Sequence, residues 1–321
     1  VMVHGRGKGK PGLQRDIETV SDWLRRMKAY QKNLYICGER GSYSKTDTDA
    51  TFMHVKEDHM KNGQLKPCYN VNVATASEYV IGSDLSADCT DTNTLIPFTK
   101  KLPLDRIQRI VADAGYESEE NYSYFEGLPH TNAYIKPANH EQKKRKKYRT
   151  DPGRRENMAY DAEKDEYTCA NGKHLKLEQV KSQKTKKGFS TETSVYRCED
   201  CQGCPLKEKC IRKGTSKKPL EDRTKSLYVN KNFLRQREEM EQRITSEEGC
   251  ILRVNRSIQA EGSFAMTKED MQFRRFLTRG KYNVTVEWFL LCFAYNLLKL
   301  HHKAKTGRLG THLIRPSPKL A

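Results

Sequence analysis

The chain lacks an uninterrupted apolar run of the length that a membrane-spanning helix needs. Its longest apolar stretch, Val284–Leu300, contains Glu287 and Asn296, and this pattern predicts a core helix instead. No signal peptide is predicted, because the basic, glycine-rich Val1–Lys10 has no apolar stretch behind it. Internal repeats are also missing. We therefore expect no membrane partner.

Acidic residues are scarce relative to basic ones. The 321 residues include 59 Lys and Arg but only 41 Asp and Glu, which gives a formal net charge of +18. Such a charge indicates a polyanionic partner, most often nucleic acid. Charge alone does not separate an enzyme from a binding protein, since ribosome-associated proteins share this composition.

Ten cysteines would permit disulfides in a secreted chain, but half of them stand at metal-ligand spacing, which favours a reducing cytoplasm. These five are Cys169, Cys198, Cys201, Cys204 and Cys210, with His174 between the first two. Tetrahedral Zn²⁺ takes four N or S ligands, and CxxC pairs supply two that converge. We predict a structural Zn²⁺ held by Cys169, Cys198, Cys201 and either of the other two. An iron–sulfur cluster is the alternative.

The N-terminal part predicts a flexible basic arm followed by an amphipathic helix. Apolar residues recur at steps of three, four or seven: Leu13, Ile17, Val20, Leu24, Met27 and Leu34. This face would pack against the rest of the chain or pair in a short coiled coil. A turn-rich link, Cys37–Thr51, follows.

The next part predicts strand, strand, helix, strand, helix, strand. Tyr69–Val73 and Glu78–Ser83 alternate apolar and polar residues, as a hairpin does. Arg106–Ala112 is a buried strand that leads into Asp113, and Ala133–Ile135 is another short strand. This order predicts an α/β sheet covered by helices.

Composition changes after Pro137, and five segments result. Residues 1–60 form the arm, helix and linker, 61–137 the first part of a core, 138–248 a basic cysteine-rich insertion, 249–302 the last part of the core, and 303–321 a basic tail. Basic runs in the insertion predict salt-dependent phosphate contacts without base readout. One of them is Lys143, Lys144, Arg145, Lys146 and Lys147.

Two carboxylates stand where metal chemistry is favoured. Asp113 follows a predicted strand, and metal and ligand sites gather at the carboxyl ends of strands in open α/β sheets. The structural alternative is a helix or turn cap. Glu261 lies within the basic stretch Arg256–Arg275, and in a helix it would share a face with Lys268. An acid beside a phosphate-binding face suits metal-dependent phosphoryl transfer on DNA; a solvated amphipathic helix is the alternative.

Five passages carry a resemblance to a known family: Gly38–Val73, Thr90–Phe98 (TDTNTLIPF), Val111–Glu126 (VADAGYESEENYSYFE), Cys198–Cys210 (CEDCQGCPLKEKC) and Glu261–Gly280 (EGSFAMTKEDMQFRRFLTRG). In order and spacing they resemble DDE-type transposases of bacterial insertion sequences, in the branch with a cysteine-bearing insert. The resemblance implies an RNase H-like mixed sheet with flanking helices, interrupted by the insertion.

Within that family, Asp113 matches the second and Glu261 the third of three metal-binding carboxylates. The resemblance implies a site with two Mg²⁺ ions for DNA strand cleavage and joining. Arg256 and Lys268 match basic positions that hold DNA phosphates, and Arg274 and Arg275 follow in an aromatic-basic block. The implied partners are the transposon ends, the target DNA and a second copy in a synaptic homodimer. The implied location is the bacterial cytoplasm, at the nucleoid.

One feature departs from the family pattern, in which the first aspartate lies on the opening strand of the sheet. No strand precedes Leu13, and Asp47 and Asp49 lie in a turn, so they are weak substitutes. With the Val1 start, this predicts an N-terminally truncated transposase that lacks a strand between the hairpin and the Asp113 strand. Two hypotheses result: a Mg²⁺-dependent transposase or its C-terminal part, and a catalytically inactive, zinc-containing DNA-binding remnant.

Overall fold

The computed structural model describes residues 3, 9–55, 60, 62–212, 214 and 218–310. Most of the predicted basic arm (residues 1, 2 and 4–8) and the end of the basic tail (311–321) lie outside the described residues. The first element is α1 (Gly12–Cys37), which matches the predicted amphipathic helix, although Gln14 is its one buried residue. After the link, β1 (Thr51–Met53) pairs antiparallel with β2 (Lys66–Cys68).

The core elements follow in the predicted order. They are β3 (Asn70–Ala76), β4 (Tyr79–Ser86), α2 (Leu95–Thr99), β5 (Arg109–Ala112), α3 (Glu119–Glu126) and β6 (Asn132–Ile135). β3 and β4 form the predicted antiparallel hairpin, whereas β5 and β6 run parallel, so that their carboxyl ends share one edge. The predicted α/β class is confirmed. Among the described strands, however, β3 pairs only with β4 and β5 only with β6, so the expected single sheet is divided.

The insertion contains the largest sheet, which the sequence did not predict. Its elements are α4 (His140–Lys143), α5 (Lys146–Arg149), β7 (Ala159–Asp161), β8 (Glu166–Thr168), β9 (His174–Lys184), β10 (Ser190–Cys198), α6 (Lys207–Cys210) and β11 (Ser226–Val229). The strands pair antiparallel in the order β11-β10-β9-β8-β7. Most side chains of β9 are polar or charged and exposed, which hides its strand character; Leu175 is fully buried.

Four helices end the described chain: α7 (Lys231–Thr245), α8 (Glu247–Arg256), α9 (Gly262–Ala265) and α10 (Lys281–Lys305). α8 and α9 belong to one interrupted helix, residues 247–270, that also contains two π-helical turns, Ser257–Glu261 and Met266–Asp270. Such turns are rare and occur often at functional sites.

A glycine lets the interrupted helix begin directly against the end of α7. The Ser246 hydroxyl caps the new helix by accepting a hydrogen bond from the Gly249 N–H (3.0 Å). A Cβ atom at Gly249 would lie 2.0 Å from the Arg243 carbonyl oxygen and 2.8 Å from the Ile244 Cα. Both neighbours are backbone atoms, so a side chain at this position would force the two helices apart.

Three buried clusters hold the described chain together. The first joins β5, β6, α3 and α7, and Met240 and Ile244 of α7 belong to it. α7 therefore packs with the core, although the predicted insertion extends to residue 248. The second cluster lies within the insertion sheet around Tyr196. In the third, Trp288 of α10 packs on the β3–β4 hairpin and on Phe264 of the interrupted helix.

The predicted core helix in Val284–Leu300 is α10, and it is buried on one face only. Trp288 Nε1 donates to the Ser83 hydroxyl (2.7 Å), and the fully buried Lys303 donates to the Ser77 carbonyl (2.6 Å). The opposite face leaves Phe289, Leu290 and Phe293 exposed. No helix in the described part of the chain is long and apolar enough to cross a membrane.

Candidate active site

Asp113 stands at the carboxyl end of β5, as the sequence predicted. β5 and β6 are parallel, and Ala112 pairs with Ile135 at the last position, so Asp113 lies at the edge where both strands end. The Asp113 carboxylate accepts a hydrogen bond from the Ala114 N–H (2.8 Å) and caps a short 3₁₀ turn. Asp113 is therefore a turn cap, as the structural alternative predicted. Its side chain is nevertheless 54% exposed and can bind other groups.

Glu261 lies at the end of the first π-helical turn. The Ser257 hydroxyl donates to its Oε1 (2.9 Å), and the carboxylate is 69% exposed. Neighbouring Ser263 and Thr267 donate to the Ala260 and Ser263 carbonyls (2.8 and 2.9 Å), a kind of hydrogen bond that bends helices. Because π turns and α turns alternate here, the expected α-helical relation between Glu261 and Lys268 does not apply.

The Arg256 guanidinium links the two carboxylates. Its Nη2 lies 3.6 Å from Asp113 Oδ2, and its Nη1 lies 3.7 Å from Glu261 Oε1. The side chains of β5 and of the interrupted helix thus converge on one positive charge. These are ion pairs without short hydrogen bonds, and each is worth about 0–1 kcal/mol. A cation of higher charge could therefore displace the guanidinium.

A buried polar cluster beside this site was missed by the sequence analysis. Asn72 on β3 is 1% exposed, and its Oδ1 accepts from the Tyr116 hydroxyl (2.7 Å) and the Thr94 hydroxyl (2.9 Å). Burial, followed by the charge of Asp91, raises the pKa of Tyr116 to about 12, so it remains a donor. No sequence signal points to it, because Asn72 occupies a polar position of the alternating strand, where an exposed side chain is expected. Within the described residues the Asn72 Nδ2 has no hydrogen-bond partner.

Asp91 is a further carboxylate near the turn that follows Asp113. It accepts from the Asn70 amide (2.8 Å), and a Cβ atom at Gly115 would lie 2.7 Å from its Oδ2. Across the part of the chain that is described, no group of three or more His, Cys, Asp or Glu side chains is arranged to hold a metal ion. Asp113 and Glu261 are thus a pair of carboxylates around an arginine.

Asp47 and Asp49, the weak substitutes for a first aspartate, make other contacts. Both carboxylate oxygens of Asp47 accept from the Tyr69 hydroxyl at 2.9 Å. Asp49 Oδ2 accepts from the Lys281 N–H (2.9 Å) at the start of α10. Through these hydrogen bonds the two aspartates connect the segment 37–51 to Tyr69 and to α10, which belong to the third cluster.

The residues predicted to bind DNA differ in their surroundings. Arg256 is engaged with the two carboxylates, and Arg274 pairs with Glu269 (3.1 Å). Lys268 lies in the second π-helical turn, and Arg275 follows that turn and is exposed. In the insertion, Lys143 and Lys144 pair with glutamates, whereas three neighbours are exposed: Arg145, Lys146 and Lys147.

The five clustered cysteines line one cavity of about 20 Å³. All ten cysteines are free thiols. Burial, with a hydrogen bond that the Cys198 thiol makes to Cys201, raises the pKa of Cys198 to about 12, and burial also raises that of Cys210. His174 does not line this cavity, and its Nδ1 lies 3.1 Å from Glu166. The cysteine spacing thus brings the thiols together without the histidine.

A comparison with protein families gives a match in the second half of the chain, which does not include Asp113. Residues 168–301 match the family model described as Transposase DDE domain, a segment that includes the clustered cysteines, Arg256 and Glu261. The match covers fewer than half of the 321 residues and is consistent with a DDE-type transposase. The mixed α/β fold is consistent with an RNase H-like DDE domain. No curated protein and no solved structure matches the chain.

Proposed function

We propose that this chain takes part in metal-dependent DNA strand cleavage and strand transfer, the chemistry that moves an insertion sequence. The observation that carries the proposal is the convergence of Asp113 and Glu261, from two distant parts of the chain, on the Arg256 guanidinium. Exposed carboxylates at a strand end and on an adjacent helix suit a site that receives DNA phosphates and metal ions together.

Asp113 and Glu261 fit Mg²⁺ by the chemistry of their oxygen atoms, and Arg256 stands where a cation is favoured. We infer that these two carboxylates hold the metal. When bound, Mg²⁺ would make water or a 3′-hydroxyl a better nucleophile and neutralise charge on the departing oxygen.

The chain's own groups orient the carboxylates. The Ala114 N–H holds Asp113 and the Ser257 hydroxyl holds Glu261, each through one oxygen atom. In both residues another oxygen atom therefore remains available. Arg256, released from the carboxylates once a metal binds, would move to a DNA phosphate, in keeping with its predicted role.

The remaining carboxylate of the family site, the first aspartate, is proposed to lie on a strand that would stand beside both β3 and β5 in the sheet. In the described part of the chain each of these strands has a partner on one side only. A strand added there would join the two pairs in one sheet, and its end could reach Asp113. Hydrogen bonding between Tyr116 and Asn72 already links the two pairs of strands (2.7 Å).

The DNA partner is proposed to cross two basic surfaces. One lies beside the site and contains Arg256, Lys268, Arg274 and Arg275, and the other is the exposed run Arg145–Lys147 of the insertion. We expect contacts to phosphates, which fix position without reading bases. Joining two transposon ends to a target would require two copies of the chain, so we propose a homodimer.

The cysteine cluster is proposed to hold a structural Zn²⁺ with Cys169, Cys198, Cys201 and either Cys204 or Cys210. The five thiols line one small cavity that His174 does not line, although among the described residues they are not yet close enough together to hold a metal ion. Metal binding would deprotonate the thiols and draw them together, since metal affinity couples to ligand pKa and local folding.

Metal binding tests the catalytic assignment independently of activity. Mn²⁺, a spectroscopic substitute for Mg²⁺, is titrated into the chain and into Asp113→Asn and Glu261→Gln, and bound Mn²⁺ is measured by electron paramagnetic resonance. We expect each substitution to weaken binding at least tenfold. Glu269→Gln, an exposed carboxylate paired with Arg274, is the matched control and should bind as the unchanged chain does.

DNA cleavage is the second measurement in the same series. Duplexes with the sequences that flank the gene are incubated with Mg²⁺, and nicked products are separated on gels. Glu261→Gln should abolish cleavage and leave DNA binding intact. Undiminished Mn²⁺ binding, or cleavage by this variant, would falsify the role of Glu261.

Elemental analysis tests the zinc proposal. The reduced chain should contain one zinc per molecule, and Cys198→Ser should lose it. Cys89→Ser is the control, because Cys89 is exposed and lies outside the cluster. Iron with sulfide in the purified chain, or the lack of any metal, would contradict the assignment.

A further inference from the structure

α1 presents an apolar seam that no other described part of the chain covers. Its six members are 43–73% exposed: Leu13, Ile17, Val20, Leu24, Met27 and Leu34. Only Gln14 of this 26-residue helix is buried. Helix stability in proteins comes mostly from burial of an apolar face, and this face is about 30 Å long by the usual rise per residue. We therefore expect another helix to cover the apolar seam of α1.

The spacing of the seam is that of a coiled coil. From residue 13 to residue 34 the steps alternate strictly between four and three when Gln31 is included. In heptad terms, Ile17, Leu24 and Gln31 occupy a positions, and the other seam residues occupy d positions. A strict seven-residue repeat over three heptads winds a helix around another helix, whereas packing on a globular core follows a 3.6-residue period.

The one polar position of the seam also fits a pair of helices. A single polar residue at an a position, here Gln31, is known to select the register and the number of strands. Charged residues of α1 lie mainly outside the seam, where they stay in water.

The charges along α1 select the direction of pairing. Residues 12–24 contain three acids and one base, whereas residues 25–37 contain four bases and no acid. Parallel helices 8–10 Å apart would place the two basic halves side by side, within about one Debye length at 0.1 M salt. Antiparallel helices would place each basic half beside the acidic half of the other helix.

We propose that α1 pairs with α1 of a second copy of this chain in an antiparallel two-stranded coiled coil. The seam, with Trp23 and Tyr30 at its side, offers roughly 500 Å² of apolar surface per copy. The pair would bury on the order of 1,000 Å², which is the lower limit of the area expected of a biological interface. A role of this contact in holding two DNA ends rests on the proposed function; the pairing itself does not.

Sedimentation equilibrium of the full chain, without DNA, tests the pairing. We expect a dimer at micromolar concentration, and the double variant Val20→Glu, Leu24→Glu should raise the dissociation constant at least 100-fold. Ala29→Glu places the same charge on the outer face of α1 and should leave the dimer intact. A monomeric unchanged chain, or a double variant that still dimerises, would overturn the proposal.

Two further variants separate the remaining possibilities. Phe289→Glu with Phe293→Glu changes the exposed face of α10; if only this variant is monomeric, α1 is not the interface. For direction, Leu13→Cys and Leu34→Cys chains are mixed and oxidised, and disulfide-linked peptides are identified by mass spectrometry. Antiparallel pairing gives the 13–34 disulfide between copies, and a 13–13 disulfide as the main product would contradict it. Neither experiment depends on DNA or metal, so its failure is distinct from failure of the catalytic proposal.

Discussion

The acidic residues of the insertion sheet and those of the candidate active site differ in how completely they are hydrogen-bonded and in how exposed they are. In the insertion, Asp165 accepts hydrogen bonds from the Tyr160 and Tyr196 hydroxyls and from Lys231, at 2.6–2.8 Å. In the candidate active site, Asp113 and Glu261 are more than half exposed, and the Arg256 guanidinium between them lies 3.6–3.7 Å away. Asp165 in the insertion is thus fully hydrogen-bonded within the protein, whereas Asp113 and Glu261 can still bind other groups.

Because of this difference, substitutions in the two regions should affect different properties of the protein. Removing a buried side chain of the insertion leaves a cavity or an unpaired polar group, and both cost several kcal/mol. Removing a charge from the active site breaks only exposed ion pairs, which contribute little to folding. The largest effects on stability should therefore arise in the insertion, and the largest effects on DNA and metal binding should arise at the site.

The largest effect on stability is expected for Tyr196→Ala. The Tyr196 ring is fully buried, lies edge-on to Tyr167 with centroids 4.9 Å apart, and bonds Asp165 through its hydroxyl. We expect the free energy of unfolding to fall by about 3–5 kcal/mol. Urea unfolding followed by circular dichroism measures the change.

Tyr228→Ala is the matched control, because Tyr228 lies in the same sheet but is 68% exposed; its effect should stay below about 0.5 kcal/mol. Fluorescence sharpens the comparison. Of the two tryptophans, Trp288 is buried in the third cluster and Trp23 is exposed on α1. If the insertion has an independent core, Tyr196→Ala will unfold it before the Trp288 signal changes. Coincident transitions would show a single cooperative unit.

An intermediate effect is expected for Gly249→Ala, at the start of the helix that carries Arg256 and Glu261. The added methyl group would meet two backbone atoms of α7, so we expect a loss of about 1–3 kcal/mol. Gly262→Ala is the control in the same helix, because Gly262 has a helical φ of −61° and an added Cβ atom would meet no neighbouring atom within 4 Å. That change should stabilise the chain by up to about 1 kcal/mol. Equal effects in both variants would refute the packing argument.

Local sequence chemistry was sufficient for the core strands and for the position of Asp113. Alternation identified the β3–β4 hairpin, and the apolar strand that ends at Ala112 placed Asp113 at a sheet edge. Ser118, which caps α3 by accepting from the Asn121 N–H, is a signal of the same local kind. The cysteine spacing likewise anticipated a common cavity.

Long-range contacts could not be read from the sequence. The five-stranded sheet was hidden because β9 exposes charged residues on most of its length, so its period did not stand out. The π-helical turns lie where the interrupted helix contacts β3 and α10, and the sequence analysis did not predict them. The position of Arg256 between two carboxylates requires the fold itself, since nothing local relates Asp113 to Glu261.

The smallest effect on stability, with a large effect on function, is expected for Arg256→Met. Methionine keeps most of the length and apolar volume of the side chain and removes its charge. Because both ion pairs of Arg256 involve exposed carboxylates, the free energy of unfolding should change by less than about 1 kcal/mol. DNA affinity, in contrast, should fall for every sequence tested, and the slope of log K against log salt should decrease by about 1.

Arg106→Met is the control for this last comparison, because Arg106 is 84% exposed and lies beside Asp105, outside the predicted DNA surface. It should leave the salt slope unchanged. Fluorescence anisotropy with a labelled duplex at four or five salt concentrations gives both slopes. If Arg256→Met instead costs more than about 2 kcal/mol and keeps the wild-type slope, the arginine is a structural bridge. The site would then resemble the insertion, in which charged side chains such as Asp165 stabilise the folded protein.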